Sequence, residues 1–255
     1  GTKIAIFFDI LLENYYFYII IHTYFMKLLT KSQIKELDQR TIEEENIHSI
    51  ELMERAATVL ANAIKHMFQQ PRTFKIFAGP GNNGGDALAI ARMLSESGHK
   101  IEVYLFNPKG KLSNDCQTNA ERLLEYPDIH FTEVTSHFAP IPLLKSDIII
   151  DGLFGSGLNK PLDGGFAAVV KYINASPATI ISIDIPSGLM CEDNTYNISE
   201  HIIRADTTLS LQLPKLAFLF AENQRYIGEW FCLDIRLSTQ GLNEVYSKYH
   251  ITTSR

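Results

Sequence analysis

The sequence predicts an α/β protein whose doubly wound, mostly parallel sheet carries helices on both faces. Three observations support this fold class: short apolar segments recur along the chain, helical patterns alternate with them, and glycine-rich turns follow several of the apolar segments. Near-continuous apolar strands are typical of parallel sheets that are covered on both sides. With 255 residues, of which 45% are hydrophobic, the chain is long enough to bury such a core.

The first predicted elements are two amphipathic helices. Ser32 precedes a helical pattern that ends at Glu45, and Ser49 precedes a second pattern that ends near Phe68. Serine often caps a helix because its hydroxyl accepts a hydrogen bond from a free backbone amide. The second pattern has an apolar face formed by Leu52, Ala56, Val59, Leu60 and Ala63. We expect that face to pack on the sheet.

The predicted strands are apolar segments rich in β-branched and aromatic residues, at 74–78, 101–106, 147–154, 179–185, 208–213 and 229–235. Helical patterns lie between them at 86–98, 114–126 and 166–174. The turns rich in glycine and proline follow strands rather than separating domains, which favours a single α/β domain. Ligands of such sheets bind at the carboxyl ends of the strands.

The N-terminal segment 1–25 differs from the rest of the chain because it is rich in Ile, Phe and Tyr. Asp9, Glu13 and Asn14 interrupt the run of about 20 uncharged apolar residues that a transmembrane helix needs. A signal peptide starts with basic residues, and only Lys3 fits that description. We therefore expect neither feature, and an interfacial membrane anchor is left open as the alternative.

The predicted α/β domain covers residues 26–236, with Met26 as the expected physiological start. We interpret residues 1–25 as upstream translated sequence that is not part of the fold. Residues 237–255 are interpreted as a tail or as a truncated linker.

Charge and cysteine content narrow the range of partners. Lys and Arg number 23 while Asp and Glu number 29, so the net charge is −6, and no long basic run is available for a nucleic acid. Cys116, Cys191 and Cys232 lack the spacing of zinc sites and of disulfide frameworks. We expect a cytoplasmic protein, in a reducing compartment, that binds neither nucleic acid nor membranes.

The segment from Gly79 to Asp86 is the clearest functional motif. It reads GPGNNGGD and places the GxGxxG spacing between a predicted strand and a predicted helix. Glycines there let the backbone turn tightly and approach a phosphate, while the helix N-terminus offers free amide donors. The motif therefore predicts a nucleotide site, and a glycine-rich turn without a ligand is the alternative.

A conventional NAD-dependent oxidoreductase is disfavoured. In that class an acidic residue at the end of the second strand binds the ribose hydroxyls. Here the second strand is followed by Asn107, and Glu102 lies in its middle. Asn82 and Asn83 also add side chains that simple phosphate binding does not require.

Two further strand ends carry carboxylates. Asp151 precedes a loop of small residues that continues to Pro161, and Asp184 is followed closely by Ser187. A carboxylate beside a glycine loop indicates a cation or a hydroxyl-rich ligand, and closure of a turn by Asp151 is the alternative. Together with Asp86, these residues predict an acidic crevice, which is costly unless a cation or proton chemistry uses it.

Taken together, the motifs resemble the N-terminal YjeF-type domain of the NAD(P)H-hydrate epimerase family. The matching segments are LMERAA at 52–57, GPGNNGGDALAIARML at 79–94, DGLFGSGLNKPL at 151–162, SIDIPSGL at 182–189 and LPK at 213–215. The resemblance extends over almost all of residues 26–236 and implies a Rossmann-like fold. Ala87 departs from the family pattern, which usually has a glycine at this position.

The resemblance also implies the ligands of the site. It assigns substrate binding to Asn82, Asn83, Gly84, Gly85 and Asp86 in a first loop, to Gly155, Ser156, Gly157, Leu158, Asn159, Lys160 and Pro161 in a second loop, and to Asp184. It implies a potassium ion as cofactor, with Asn83, Asp151 and Ser187 as ligands. Oxygen donors of this kind suit a hard cation.

The activity implied by the resemblance is the interconversion of the R and S forms of NADHX and NADPHX, which carry a hydroxyl at carbon 6 of the reduced nicotinamide ring. We expect Asp184 to perform the acid–base steps, with Lys215 polarising the site. The implied partners are an S-specific NAD(P)HX dehydratase, fused to this domain in many bacterial relatives, and a second copy of the chain in a homodimer. A nucleotide-binding scaffold protein without turnover is the alternative.

Overall fold

The computed structural model describes residues 26–251. The expectations for residues 1–25 concern a segment that lies outside the described residues. Within the described range, no helix is long and apolar enough to cross a membrane.

The central sheet confirms the predicted fold class. After the short strand β1 (Met26–Leu28), its strands are β2 (Thr73–Ala78), β3 (Lys100–Phe106), β4 (His130–Val134), β5 (Ile148–Gly152), β6 (Thr179–Ile183), β7 (Thr207–Leu211) and β8 (Glu229–Leu233). They pair in parallel throughout, in the order β4-β3-β2-β5-β6-β7-β8. The strand order reverses between β2 and β5, which is where doubly wound sheets open a ligand-binding crevice.

The predicted helices form, although some begin at other residues than expected. The helices of the described chain are α1 (Lys31–Glu45), α2 (Ser49–Met67), α3 (Asn82–Ser95), α4 (Asn114–Leu123), α5 (Gly164–Asn174), α6 (Gln224–Ile227) and α7 (Thr239–Glu244). Thr30 caps α1, in a capping box with Gln33, rather than Ser32. Because Gly81 is the cap of α3, the asparagines of the first loop lie in the first turn of this helix.

Some elements were not predicted. Strand β4 lies at one edge of the sheet and is largely exposed, so its sequence HFTEV lacks the continuous apolar run of the central strands. Residues 239–251, which the sequence assigned to a tail, contain α7 and strand β9 (Tyr249–Ile251). Strand β9 pairs with β1 in a small antiparallel sheet.

Apolar side chains of the strands pack against helices on both faces of the sheet. On β2, Phe74 and Ile76 belong to the cluster formed with α2, α3 and α4. Phe77 points to the opposite face, where it belongs to the cluster that includes Val170 and Ile173 of α5. This alternation follows from the two-residue period of a strand. Because helices cover both faces, a polar crevice can open only at the ends of the strands.

Lys27 of β1 fixes the C-terminal segment to the body of the protein. Its Nζ donates to the backbone carbonyls of Leu242, Asn243 and Val245, at 2.7, 2.9 and 2.8 Å. These carbonyls lie at the end of α7, where the helix dipole favours a positive charge. In the same region, α1 and α7 share an apolar cluster with Leu213.

We predict that Lys27→Met lowers the free energy of unfolding by about 1–2 kcal/mol, because charge-assisted hydrogen bonds to helix-end carbonyls are lost. Urea unfolding would measure the change. Lys35→Met, at an exposed position of α1, is the matched control and should have almost no effect. Equal stability of the two variants would contradict the role given to Lys27.

Candidate active site

The first loop of the site joins β2 to α3, and close backbone contacts require its glycines. A β-carbon on Gly79 would lie 1.8 Å from the carbonyl oxygen of Leu153, which follows β5. A β-carbon on Gly84 would lie 1.7 Å from the carbonyl oxygen of Gly79. The loop therefore brings the N-terminus of α3 to the point where the strand order reverses, and the helix dipole there favours an anion.

Asp151 of β5 is fully buried and holds the loop that follows β6. Its carboxylate accepts hydrogen bonds from Ser182 Oγ at 2.7 Å, from the backbone amide of Ser187 at 2.8 Å and from Ser187 Oγ at 2.5 Å. Burial raises the pKa of Asp151, and the hydrogen bonds from both serines oppose this shift only in part. The two serines flank Asp184, so Asp151 fixes the backbone on both sides of that residue.

Asp184 and Lys215 form a buried ion pair in the crevice. Lys215 Nζ lies 2.8 Å from Asp184 Oδ1, and the backbone amide of Ser156 donates to Oδ2 at 2.9 Å. Burial alone would raise the pKa of Asp184, but the Lys215 ammonium and the Ser156 amide hold it below its usual range. Asp184 is therefore ionised at neutral pH.

Backbone carbonyls fix the position of the Lys215 ammonium. Its Nζ donates to Leu211 O and Leu213 O, both at 3.2 Å, and to Ser210 Oγ at 3.1 Å. The residue is only 1% exposed. Burial lowers the pKa of Lys215, but the charge of Asp184, its hydrogen bond and the other interactions of the ammonium together raise it overall, so the side chain stays protonated.

Asn83 reaches the same crevice from the first turn of α3. Its side chain is buried, and its Nδ2 has no hydrogen-bond partner within residues 26–251. A β-carbon on Gly155 would lie 3.0 Å from both Asn83 Oδ1 and Asp184 Oδ2, so the two side chains meet beside this glycine. A buried amide without a partner is costly, which indicates that a ligand supplies the missing acceptor.

Two further carboxyl groups interact with the ion pair. Burial raises the pKa of Asp86 on α3 well above its usual value, and the charges of Asp184 and Asp38 add to the shift. Burial and the charge of Asp184 raise the pKa of Asp38 on α1 to about 7, although the Lys215 ammonium opposes the shift. The sequence patterns did not predict a role for Asp38. The available signal was its position four residues after Ile34, on the helix face that packs inward.

The structure brings together part of the predicted substrate-binding set: Asn83, Asp86, Gly155, Ser156 and Asp184, together with Lys215. Gly85 faces helix α2 instead, since a β-carbon there would lie 2.8 Å from Met53 Sδ. Exposed positions include Asn82, Gly157, Asn159 and Lys160, and no hydrogen bond within the described chain joins them to the ion pair. Leu158 packs against the apolar cluster of α5.

Two of the three residues expected to bind potassium, Asp151 and Ser187, are in contact, whereas the side chain of Asn83 lies beside Gly155 and Asp184. Ser187 Oγ lies next to the Asp151 carboxylate and 3.1 Å from the carbonyl oxygen of Phe154. Within residues 26–251, no group of three or more His, Cys, Asp or Glu side chains could hold a metal ion. One carboxylate combined with neutral hydroxyl, carbonyl and amide oxygens fits a monovalent cation by donor chemistry.

Comparisons with known proteins agree with this geometry. The family model for YjeF-related protein N-terminus matches residues 49–217. The NAD(P)H-hydrate epimerase of Limosilactobacillus fermentum is 33% identical, over 81% of this chain and 95% of that protein. The NAD(P)H-hydrate epimerase of Rhodopirellula baltica is 32% identical, over 85% of this chain and 87% of that protein.

Longer relatives and a solved structure extend the comparison. The bifunctional NAD(P)H-hydrate repair enzyme Nnr of Thermofilum pendens is 35% identical over 81% of this chain, which spans only 39% of that protein. The crystal structure of yeast ynu0 superposes with a TM-score of 0.66 at 18% identity, and the match covers 89% of this chain and 100% of the yeast chain. At this identity the likeness supports the fold alone.

Fold and site thus define a doubly wound α/β protein with an acidic crevice at the switch point of its parallel sheet. The chain belongs to the family of YjeF-related protein N-terminal domains, as the sequence motifs predicted.

We predict that Lys215→Met destabilises the protein by about 3–5 kcal/mol at neutral pH, because it leaves a buried carboxylate without a partner. The loss should be smaller at pH 5 than at pH 8, since Asp184 would then have a raised pKa and would be neutralised as the pH falls. Urea unfolding at both pH values would measure this.

Two controls complete this experiment. The double variant Lys215→Met with Asp184→Asn should recover much of the stability, because the unpaired charge is removed. Lys171→Met, at an exposed position of α5, should change little. A double variant that is no more stable than Lys215→Met alone would contradict the ion-pair interpretation.

Proposed function

We propose that the chain is an NAD(P)H-hydrate epimerase, an isomerase that interconverts the R and S forms of NADHX and NADPHX during repair of damaged reduced cofactors. The relatives that bear this name are matched over 87% to 95% of their own length. The observation that carries the proposal is the ionised, buried Asp184 beside the two glycine loops, because the reaction passes through a cationic ring.

Epimerisation requires the hydroxyl at carbon 6 to leave and water to return on the opposite face of the ring. As the C6–O bond breaks, the lone pair of the ring nitrogen forms a C=N bond, and the ring becomes an iminium cation. A carboxylate held in place within a site of low dielectric stabilises such a developing charge. The crevice provides a carboxylate of this kind.

We assign this electrostatic role to Asp184, rather than the proton transfer expected from the sequence. A carboxyl group with a pKa below its usual range rarely carries a proton at neutral pH, so it is a poor general acid. Lys215 binds Oδ1, whereas Oδ2 faces Gly155 and Asn83. The pair therefore directs its negative end towards the crevice, and Lys215 acts by fixing that charge.

We assign substrate binding to the two loops that flank this carboxylate. We assign the phosphates of the dinucleotide to the N-terminus of α3, with Asn82 and Asn83, because a helix N-terminus favours anions. The segment 155–161 begins beside Asp184, and we assign to it the role of covering the reduced nicotinamide ring. The unpaired amide of Asn83 supports this assignment, because it offers a buried donor to a substrate oxygen.

We also propose potassium as the cofactor, held by Asn83, Asp151 and Ser187. A bound cation would supply a fixed positive charge for the anionic dinucleotide. The protein's own contribution is the arrangement of oxygens around Ser187, which Asp151 holds in place by hydrogen bonds.

We predict that potassium chloride raises the melting temperature relative to choline chloride at equal ionic strength, because a ligand that binds only the folded state stabilises it. Asn83→Ala should abolish this difference, whereas Asn243→Ala, at an exposed position of α7, should retain it. Differential scanning fluorimetry provides the measurement. Identical melting temperatures in the two salts would refute the potassium site.

The proposed partner is an S-specific NAD(P)HX dehydratase, because the bifunctional relatives are named as repair enzymes of NAD(P)H hydrate and extend well beyond the segment matched here.

We place the protein in a reducing compartment, the cytoplasm, on the basis of its free cysteines Cys116, Cys191 and Cys232. The homodimer implied by the family stays a prediction.

We predict that the purified protein accelerates NADH recovery from R-NADHX, relative to spontaneous epimerisation, when an S-specific dehydratase is coupled to it. Asp184→Asn should lower turnover by about 10²–10³, as expected for loss of one preorganised electrostatic contact, with a smaller effect on substrate affinity. Asp128→Asn, the same change at an exposed loop position, is the matched control.

The outcomes of this assay separate the candidate functions. A wild-type protein that binds the dinucleotide but gives no acceleration would leave only the nucleotide-binding scaffold. An active wild type with an equally active Asp184→Asn variant would remove Asp184 from the mechanism without affecting the proposed activity.

A further inference from the structure

Asp38 lies close to the ion pair on the inward face of α1. The helix is held over this region because its Leu37 packs in one cluster with Leu213, and because the backbone amide of Lys31 donates to Glu192 Oε1 at 3.1 Å. Within residues 26–251, the Asp38 carboxyl has no hydrogen bond and no ion pair. A half-buried carboxyl group without such partners is free to interact with a ligand.

The three carboxyl groups of the site, Asp38, Asp86 and Asp184, differ in whether a positive charge lies beside them. The ammonium beside them, that of Lys215, is bound to Asp184, so Asp38 and Asp86 have no counter-charge of their own in the described part of the chain. Asp86 is buried, whereas Asp38 is partly exposed to solvent. Only Asp38 therefore combines proximity to the ion pair with access to the water that must exchange protons with the site.

We propose, on the basis of the proposed epimerase function, that Asp38 is the catalytic group that transfers the proton at carbon 6 of the substrate. The C6–O bond breaks with its electron pair on oxygen, and the ring nitrogen forms the C=N bond. Asp38 donates the proton that converts the leaving hydroxide into water. In the second step, water attacks C6 from the opposite face of the ring, and the Asp38 carboxylate takes the surplus proton of that water, so Asp38 is protonated again and no co-reactant is consumed.

The pKa of about 7 makes both directions accessible at physiological pH, because a general acid–base group works best when its pKa is near the operating pH. Within the described residues, Asp184, Lys215 and Asp86 interact with Asp38, and the neighbouring segments also carry Glu192 after β6, Arg55 on α2 and Glu244 on α7. The last two are bound in ion pairs with Glu45 and Arg40. Burial raises the pKa of the nearby Cys191 and Cys232 thiols to about 12, so they stay neutral.

The activity of the wild type should decline above about pH 7, as Asp38 loses its proton. The conversions from R to S and from S to R must show the same decline with pH, because the equilibrium between the two epimers does not involve protons. Asp38→Asn should lower kcat by about 10²–10⁴ and abolish the decline, whereas Asp38→Glu should recover part of the rate. Glu36→Gln, at an exposed position of the same helix, should match the wild type.

Stability gives a second readout that does not depend on activity. Because the pKa of Asp38 is higher in the folded state than its ordinary value of 3.8, the folded protein loses stability as the pH rises from about 4 to about 7. Asp38→Asn removes this loss. The melting temperature of the variant should exceed that of the wild type by more at pH 8 than at pH 4.

The decisive experiment measures kcat for the wild type, Asp38→Asn and Glu36→Gln from pH 5.5 to pH 9 in the coupled assay, with spontaneous epimerisation subtracted. A folded Asp38→Asn variant with near-normal kcat and an unchanged pH profile would overturn the role of Asp38 alone. An inactive wild type would instead overturn the proposed epimerase function. Loss of rate together with loss of the pH decline supports the assignment.

Discussion

The arrangement of the site depends on the hydrogen bonds that the Asp151 carboxylate accepts. Burying a charge is costly unless hydrogen bonds replace the lost water, and Asp151 obtains them from Ser182 and Ser187. These donors lie on either side of Asp184, which adopts a left-handed φ of 65°. The backbone conformation of the turn and the direction of its carboxylate are thus set by a residue on the neighbouring strand.

The surroundings of the carboxyl groups then give them different pKa values, although their chemistry is the same. The Lys215 ammonium keeps Asp184 ionised, while burial without a counter-charge raises the pKa of Asp38. Sites that combine a fixed charge with a proton-transfer group are built in this way, by environments that push two pKa values apart. A single ammonium placed beside one of the carboxyl groups is enough to create the difference.

The sequence allowed prediction of the sheet and its glycine loops, because apolar strand runs and tight turns are local signals. It did not allow prediction of β4, since an edge strand with exposed side chains has no continuous apolar run. It also missed Asp38. One acidic residue on an amphipathic helix looks like a surface residue, and its spacing from Ile34 gains meaning only once α1 packs on the loop after β7.

Helix α1 lies outside the doubly wound sheet, so its position depends on contacts from the ends of the described chain. The amide of Ser238 donates to the buried Thr41 Oγ1 at 2.9 Å, and Ser238 Oγ caps α7 through the amide of Gly241 at 2.9 Å. Lys27 binds the C-terminal end of α7. Segments that carry no site residue therefore position Asp38. Disturbing α7 should affect proton transfer before it affects the Asp184–Lys215 pair, whose residues follow the sheet strands β6 and β7.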